Sequence, residues 1–233
     1  MSHLYAILDL GYTSEENAES VTQSLLKGGA HLLQLRAKGQ DLATIRRIAE
    51  KLIPLCRAAC VPFILNDFPA LAAEIGADGV HIGQDDGSLA EAREKIRSVE
   101  PRTQNELPAS SFSPIPPSEF RAPPSFLVGR STHSLDQARA ALAEGFDYIG
   151  FGPLFPTPTK AGRPAIGLQD IATMERDVGT HIPAFCIGGI TPETLPRVLA
   201  AGARRVVIVS ALLKADNVEM ATRTAIAALN AER

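Results

Sequence analysis

The feature that most constrains the fold is a regular alternation between short apolar runs rich in β-branched residues and longer segments with helical periodicity. Several of the apolar runs lack alternating polar positions, which is typical of parallel strands that are covered by helices. The pattern predicts eight strands, at Leu4–Leu10, His31–Arg36, Pro62–Asn66, Gly79–Ile82, Phe126–Gly129, Tyr148–Phe151, Ala184–Ile187 and Arg205–Val209.

A helical segment follows each predicted strand, so the chain is expected to be an α/β protein. Helix starts are indicated by Asp41, Ser134 and Thr191 at N-cap positions, with Pro192 in a first turn. The eight predicted helices are Glu15–Lys27, Leu42–Ala59, Pro69–Ile75, Leu89–Arg97, Leu135–Glu144, Leu168–Asp177, Pro192–Ala200 and Val218–Ala231. Such an alternation is compatible with a closed barrel or with a doubly wound sheet.

Length and a repeated turn favour the barrel. The 233 residues suit one (β/α)8 barrel, and four helix-to-strand turns carry a glycine, at Gly28, Gly76, Gly145 and Gly202. We therefore predict a single (β/α)8 TIM barrel over residues 1–233. The stretch Val99–Ser125, which is rich in proline and serine, is predicted to be an inserted loop on the face opposite the active site, without a catalytic role.

Composition excludes several classes of partner. The net charge is −3 and the isoelectric point about 6.0, which does not suggest binding to nucleic acid or to a membrane surface. No apolar stretch reaches the ~18 residues that would span a bilayer, and the N-terminus lacks the pattern of a signal peptide. We expect a cytoplasmic protein that binds small molecules, and a homo-oligomer is left open.

Polar or glycine-rich clusters follow seven of the predicted strands, and a parallel barrel brings all of its strand ends to one face. Gln34, Arg36 and Lys38 alternate at the end of the second strand, so their side chains share one direction. A guanidinium and an ammonium group at a barrel mouth are suited to the oxygens of a diphosphate. The alternative is a solvated strand end.

Acidic residues follow the third and fourth strands. Asp67 and one residue of the Asp85-Asp86 pair would lie on neighbouring strand ends, where they could hold one Mg²⁺. Phosphate oxygens and water would complete its octahedral coordination. The alternative is that Asp67 caps the following helix.

The later strands end in groups that suit a second anion. The long loop Gly152–Gly167 is typical of a lid, and Thr157, Thr159 and Lys160 within it could close over an anion. Barrel enzymes commonly bind phosphate after strands seven and eight, which here end at Gly188-Gly189 and at Val209-Ser210. Turn geometry alone is another reason for two consecutive glycines.

Two further side chains belong to the fourth and fifth strands. Ser131 follows the fifth strand and is a candidate for substrate contact. His81 lies inside the fourth strand, and a histidine there is more often packed and hydrogen-bonded than catalytic. We therefore predict that His81 has a structural or supporting role.

Taken in order, these motifs make the chain resemble the thiamine phosphate synthase family. The resemblance covers nearly the whole chain except Val99–Ser125. It depends on seven motifs, which are QLRAK, ND, ADGVHIGQDD, GRSTH, GFGPLFPTPTK, GGI and the final VS.

The resemblance implies a (β/α)8 barrel that joins a pyrimidine diphosphate to a thiazole phosphate, giving thiamine phosphate and pyrophosphate. It implies pyrimidine diphosphate binding by Gln34, Arg36, Lys38, Asn66, Ser131 and Lys160, of which Arg36, Lys38 and Lys160 would act in catalysis. It implies thiazole phosphate binding by Thr157, Thr159, Gly189, Val209 and Ser210. Asp67 and Asp86 would hold Mg²⁺, and Asp86 is preferred to Asp85 because the family often has Glu at the latter position.

Three other functions remain open from the sequence. Thiazole tautomerases share the barrel, but that group lacks the paired aspartates and has a histidine in the loop after strand six, where this chain reads Gly152-Pro153-Leu154-Phe155. A non-catalytic binder of thiazole phosphate is a second alternative. An isomerase of a phosphorylated sugar or amino acid would need an acid/base pair, which His81 or Asp85 could supply.

Overall fold

The computed structural model describes residues 3–99, 126–157 and 164–231. Eight parallel strands close into one barrel in sequence order, and β1 pairs with β8 to complete the ring. The strands are β1 His3–Asp9, β2 Leu32–Arg36, β3 Phe63–Asn66, β4 Gly79–Ile82, β5 Leu127–Thr132, β6 Tyr148–Phe151, β7 Ala184–Ile187 and β8 Arg205–Ile208. The predicted (β/α)8 TIM-barrel fold is confirmed, and the doubly wound sheet is excluded.

Helices lie between consecutive strands and cover the outside of the barrel. They are α1 Ala18–Lys27, α2 Leu42–Ala58, α3 Pro69–Glu74, α4 Leu89–Arg97, α5 Leu135–Glu144, α6 Ile171–Met174, α7 Leu195–Ala200, α8 Ser210–Leu213 and α9 Val218–Ala231. No helix in the described ranges is long and apolar enough to cross a membrane.

The two faces of most strands contribute to two separate apolar clusters, because successive side chains point to opposite sides. On β1, Leu4, Ala6 and Leu8 belong to the large cluster that the strands share with the helices. Tyr5 and Ile7 belong to a smaller cluster that fills the barrel, together with residues such as Phe185. Near the C-terminal strand ends the inward-facing positions of β1 to β5 include polar residues such as Asp9, Gln34 and Ser131, and a cavity opens there.

Local signals locate some helix starts correctly. Asp41 accepts a hydrogen bond from the backbone N–H of Thr44 at 2.8 Å, and Ser134 accepts one from Gln137 at 3.2 Å. The helix predicted to start at Pro192 starts later, with Thr194 at its N-cap position, although the Thr191 hydroxyl does accept a hydrogen bond from the backbone N–H of Thr194 at 3.4 Å. The segment from Thr191 to Thr194 forms a hydrogen-bonded turn, with 3.1 Å from Thr194 N to Thr191 O, so α7 begins only at Leu195.

Three helix predictions differ from the structure in other ways. The first helix starts at Ala18 and not at Glu15. The segment predicted as one helix from Leu168 to Asp177 consists of α6 and a π-helical turn, Glu175–Gly179. The short helix α8 between β8 and α9 was not predicted, and eight helices were therefore too few.

The predicted insertion lies almost entirely outside the described residues, of which only Val99 belongs to it. Its loop character and its lack of a catalytic role therefore stay predictions.

Candidate active site

A cavity opens at the C-terminal ends of the strands, and residues from all eight strands line it. Its empty volume, including the open mouth, is about 890 Å³. The predicted site residues that the structure brings to this cavity are Gln34, Arg36, Asn66, Ser131, Thr157, Gly189, Val209 and Ser210. The convergence expected from seven scattered motifs is therefore present for these eight residues.

Arg36 is held at the cavity by a residue that sequence reasoning missed. Asp9, the last residue of β1, is paired in register with Arg36, the last residue of β2. The Asp9 Oδ2 atom lies 2.6 Å from Nη1 of Arg36, and both residues line the cavity. The sequence feature that could have revealed Asp9 is its charge within an otherwise apolar predicted strand, Leu4–Leu10.

A chain of hydrogen bonds crosses the floor of the cavity and connects two predicted substrate contacts. The amide of Gln34 donates to the hydroxyl of Tyr5, which lies 3.2 Å from the hydroxyl of Tyr148. His81 Nδ1 is 3.3 Å from the Tyr148 hydroxyl, and its Nε2 is 3.0 Å from Ser131 Oγ. His81 is thus buried and hydrogen-bonded, as predicted, and it supports Ser131.

Burial keeps the two tyrosines of this hydrogen-bonded network protonated. It raises the pKa of the Tyr5 phenol and that of the Tyr148 phenol, so both hydroxyls stay neutral donors and acceptors. The tyrosine rings fit because β5 carries Gly129 opposite Tyr148. A Cβ atom at Gly129 would overlap Cζ of the Tyr148 ring, so this position has no room for a side chain.

The two predicted metal ligands, Asp67 and Asp86, are neighbours at the ends of β3 and β4. Burial raises the pKa of Asp67, and the charge of Asp86 raises it further. Lys38 opposes this shift, because its Nζ lies 3.6 Å from Asp67 Oδ2. The N-cap position of α3 is occupied by Phe68, and no side chain caps the helix there, so the alternative role of Asp67 as a helix cap is excluded.

This carboxylate pair fits Mg²⁺ better than it fits a metal enclosed by protein ligands. Mg²⁺ in phosphate-transfer sites commonly takes one or two carboxylates, with water and phosphate oxygens as its other ligands. Within the described ranges no cluster of three histidine, cysteine, aspartate or glutamate side chains could hold a metal ion. A divalent cation between the two carboxylates would offset the charge of Asp86, which contributes to the raised pKa of Asp67.

The opposite side of the cavity is built from glycine backbone. Gly188 and Gly189 have φ angles of 101° and 65°, which favour glycine. The loop after β6 packs directly on them, since a Cβ atom at Gly188 would lie 2.5 Å from Cβ of Pro153. This packing brings Thr157 to the same cavity as Ser210. Thr159 and Lys160 lie outside the described residues, so their predicted roles stay predictions.

Known proteins resemble this chain over most of its length. A model of the thiamine monophosphate synthase family matches residues 4–99 and 113–212. The chain belongs to the thiamine monophosphate synthase family. A thiamine-phosphate synthase of Thermus thermophilus is 41% identical over 202 residues, which cover 87% of this chain and 84% of the relative. One from Chlorobium luteolum is 36% identical over 209 residues, covering 89% and 85%.

A solved structure agrees with this membership. The thiamine phosphate pyrophosphorylase from Pyrococcus furiosus superposes with a TM-score of 0.78 at 26% identity, covering 99% of this chain and 96% of that chain. The predicted class, a transferase of thiamine biosynthesis, is therefore confirmed at the level of the thiamine monophosphate synthase family. The gap in the family match, residues 100–112, falls within the predicted insertion.

Proposed function

We propose that this chain is a Mg²⁺-dependent thiamine phosphate synthase. It would join 4-amino-5-hydroxymethyl-2-methylpyrimidine diphosphate to 4-methyl-5-(2-phosphoethyl)thiazole, or to the carboxylate form of that thiazole, and release pyrophosphate. The observation that carries the proposal is one cavity with two different walls. Arg36 lines one wall, from β2 to β4, with Lys38 and the carboxylates of Asp67 and Asp86 beside the cavity there, and the other wall, after β7 and β8, has glycine backbone and Ser210.

The first wall is suited to the leaving diphosphate. Arg36 and Lys38 supply positive charge at the end of β2, and Lys160 is proposed to add to it from the loop after β6. Asp67 and Asp86 would hold Mg²⁺, which when bound neutralises charge on the departing diphosphate. Diphosphate is a poor leaving group until its charge is compensated, so this wall addresses the most demanding part of the reaction.

The floor of the cavity is suited to the pyrimidine. Gln34 and Ser131 face it from opposite sides and are connected through the buried chain of hydroxyls and His81. Asn66, which also lines the cavity, is proposed as a further contact. Because each group in the chain is held by its neighbour, the pyrimidine would meet donors and acceptors that are already oriented.

The second wall is suited to the thiazole phosphate. Gly189, Val209 and Ser210 line the cavity there, and glycine lets a phosphate approach the backbone closely. Thr157 lies beside them, and Thr159 is proposed to contribute from the same loop.

The chemistry needs no nucleophile from the protein. The C–O bond to the diphosphate breaks with its electron pair on oxygen, and the aminopyrimidine delocalises the positive charge on the methylene carbon. The nitrogen lone pair of the thiazole then forms the new C–N bond. The protein contributes electrostatic stabilisation, positioning and exclusion of water.

The experiment that tests the function is a measurement of pyrophosphate release by the purified protein. Mg²⁺, the pyrimidine diphosphate and the thiazole phosphate are each omitted in turn. We expect release only with all three present, together with thiamine phosphate as the coproduct. No release from a folded protein that still binds the thiazole phosphate would refute the proposal and favour a tautomerase-like or purely binding role.

Two variants connect the activity to the site. Asp67→Ala and Arg36→Ala should each abolish turnover while the barrel stays folded, because each removes a group from the diphosphate wall. Asp177→Ala is the matched control, since Asp177 forms an ion pair with Arg139 on the outside of the barrel. Near-normal activity of both site variants would refute the assignment. A cytoplasmic location stays a prediction.

A further inference from the structure

We propose that Asp9 is a positioning residue for Arg36, which it holds with the guanidinium directed at the diphosphate side of the cavity. The proposal depends on the function proposed above, because it assigns Arg36 to the diphosphate. Asp9 belongs to none of the seven motifs that pointed to the site.

The contact between the two side chains is short, direct and well shielded. Asp9 and Arg36 are register partners at the final rung of adjacent strands, and Asp9 Oδ2 lies 2.6 Å from Nη1 of Arg36. The Asp9 side chain is 2% exposed and that of Arg36 15% exposed. Solvent therefore screens this ion pair much less than it would a surface pair.

Asp9 is itself immobilised by the turn that follows β1. Its second carboxylate oxygen, Oδ1, accepts a hydrogen bond from the backbone N–H of Gly11 at 2.9 Å. Its carbonyl oxygen accepts from the backbone N–H groups of Tyr12 and Thr13, at 2.9 and 3.3 Å. Asp9 is thus fixed through both its side chain and its backbone, so it can act as a rigid reference for a long, flexible arginine.

The chemistry of the pair is compatible with anion binding by Arg36. A guanidinium carries five N–H donors, and the contact with Asp9 Oδ2 uses the Nη1 group, so the ion pair does not exhaust its donors. A free arginine would have to lose side-chain entropy each time it bound the diphosphate. Asp9 restricts the Arg36 side chain before the substrate binds, which is the general advantage of a preorganised site.

Stability alone is a weaker reason for the pair. A buried ion pair often contributes little net stability compared with well-packed apolar side chains, because both charges lose their hydration. The barrel offers an internal comparison at its other end. Glu175 and Arg205 are both buried near the N-terminal strand ends, with 3.9 Å between Oε2 and Nη1, and they lie far from the cavity mouth.

The test compares Asp9→Asn with Glu175→Gln in steady-state kinetics. Asp9→Asn keeps the shape of the side chain but removes its charge and one acceptor. We expect kcat/KM for the pyrimidine diphosphate to fall by roughly 10- to 100-fold, because Arg36 loses its orientation. KM for the thiazole phosphate should stay within about twofold of that of the parent protein. Glu175→Gln, which also removes a buried carboxylate, should change neither constant.

A double-variant cycle separates positioning from a general structural effect. If Asp9 acts through Arg36, then Asp9→Asn should cause little further loss of kcat/KM in an Arg36→Lys background, in which residual turnover can be measured. Losses that multiply in the double variant would overturn the proposal. Equal changes in KM for the pyrimidine diphosphate and for the thiazole phosphate would also overturn it.

The outcome can be distinguished from failure of the function itself. If the parent protein releases no pyrophosphate, then the proposed function has failed, and the role of Asp9 toward the diphosphate fails with it. If the parent is active and Asp9→Asn is folded with unchanged constants, then the function stands and the positioning role of Asp9 is wrong.

Discussion

The hydroxyl chain under the cavity makes a quantitative prediction for Tyr148→Phe. The substitution removes one oxygen atom that lies 3.2 Å from the hydroxyl of Tyr5 and 3.3 Å from Nδ1 of His81. The ring remains, and it keeps its edge contacts with the rings of Tyr5 and Phe185, at centroid distances of 6.0 and 6.1 Å. The packing is thus nearly unchanged, and any effect should come from the lost hydrogen bonds.

We expect Tyr148→Phe to lower the free energy of unfolding by about 1–3 kcal/mol, which is the range for leaving a buried polar group without its partner. For a chain of this length each kcal/mol corresponds to a fall in Tm of roughly 2–4 °C. The kcat/KM for the pyrimidine diphosphate should also fall, because His81 supports Ser131 from the same chain.

The assay is urea unfolding of the single variants, Tyr5→Phe and Tyr148→Phe, and of the double variant. Removing both hydroxyls should lower the free energy of unfolding by about 0.5–1.5 kcal/mol less than the sum of the two single losses. In the double variant no hydroxyl is left that has lost the other as its partner. Tyr12→Phe is the control, as Tyr12 lies outside the barrel under Lys214, and it should change stability by less than about 0.5 kcal/mol. Strictly additive losses, or a loss for Tyr148→Phe as small as the control, would refute the reasoning.

Two further predictions concern pH and the loop that carries Asp86. Burial lowers the pKa of His31 below its usual 6.5, and its Nδ1 accepts from the backbone N–H of Leu4 at 3.2 Å. The unfolded chain therefore binds this proton more readily, so the free energy of unfolding should fall as the pH drops below about 6.5. Urea unfolding of His31→Asn should show a flatter pH dependence, and an unchanged dependence would contradict the prediction. Arg130 donates to the carbonyl oxygen of Gln84 in the loop that carries Asp86, at 3.3 Å. Arg130→Lys should therefore raise the Mg²⁺ concentration for half-maximal pyrophosphate release by roughly tenfold, and an unchanged Mg²⁺ requirement would show that this arginine does not support the loop.

Local sequence patterns were sufficient for the strands and for most of the helices. Short, mostly apolar runs located β4, β6 and β7 to the residue, since a parallel strand covered by helices is recognised from its own buried side chains. The start of α7 was misplaced because Thr191 satisfies a turn as well as it satisfies a helix cap. The π turn after α6 was missed, since nothing in its periodicity separates it from an α-helix.

Much of the candidate site was also accessible from the sequence. A parallel barrel brings its strand ends together whatever its side chains are, so residues as distant as Gln34 and Ser210 could be assigned to one cavity. Lys38, Asp67 and Asp86 are not among the lining residues of that cavity; Lys38 and Asp86 each interact with Asp67 beside it. Sequence periodicity cannot separate residues that line the cavity from residues beside it, because their positions depend on how each loop turns after its strand.

The sequence by itself determined the alternation of strands and helices and the polar chemistry of the strand ends, and its length favoured the barrel over a doubly wound sheet. Each of these follows from short-range periodicity together with general rules of chain topology. Only the tertiary structure decided that Asp9 meets Arg36, and that Tyr5 and Tyr148 join Gln34 to Ser131 through His81. These contacts depend on the register between strands and on which face turns inward when the ring closes. Closure is a property of all eight strands together, so no local segment encodes it.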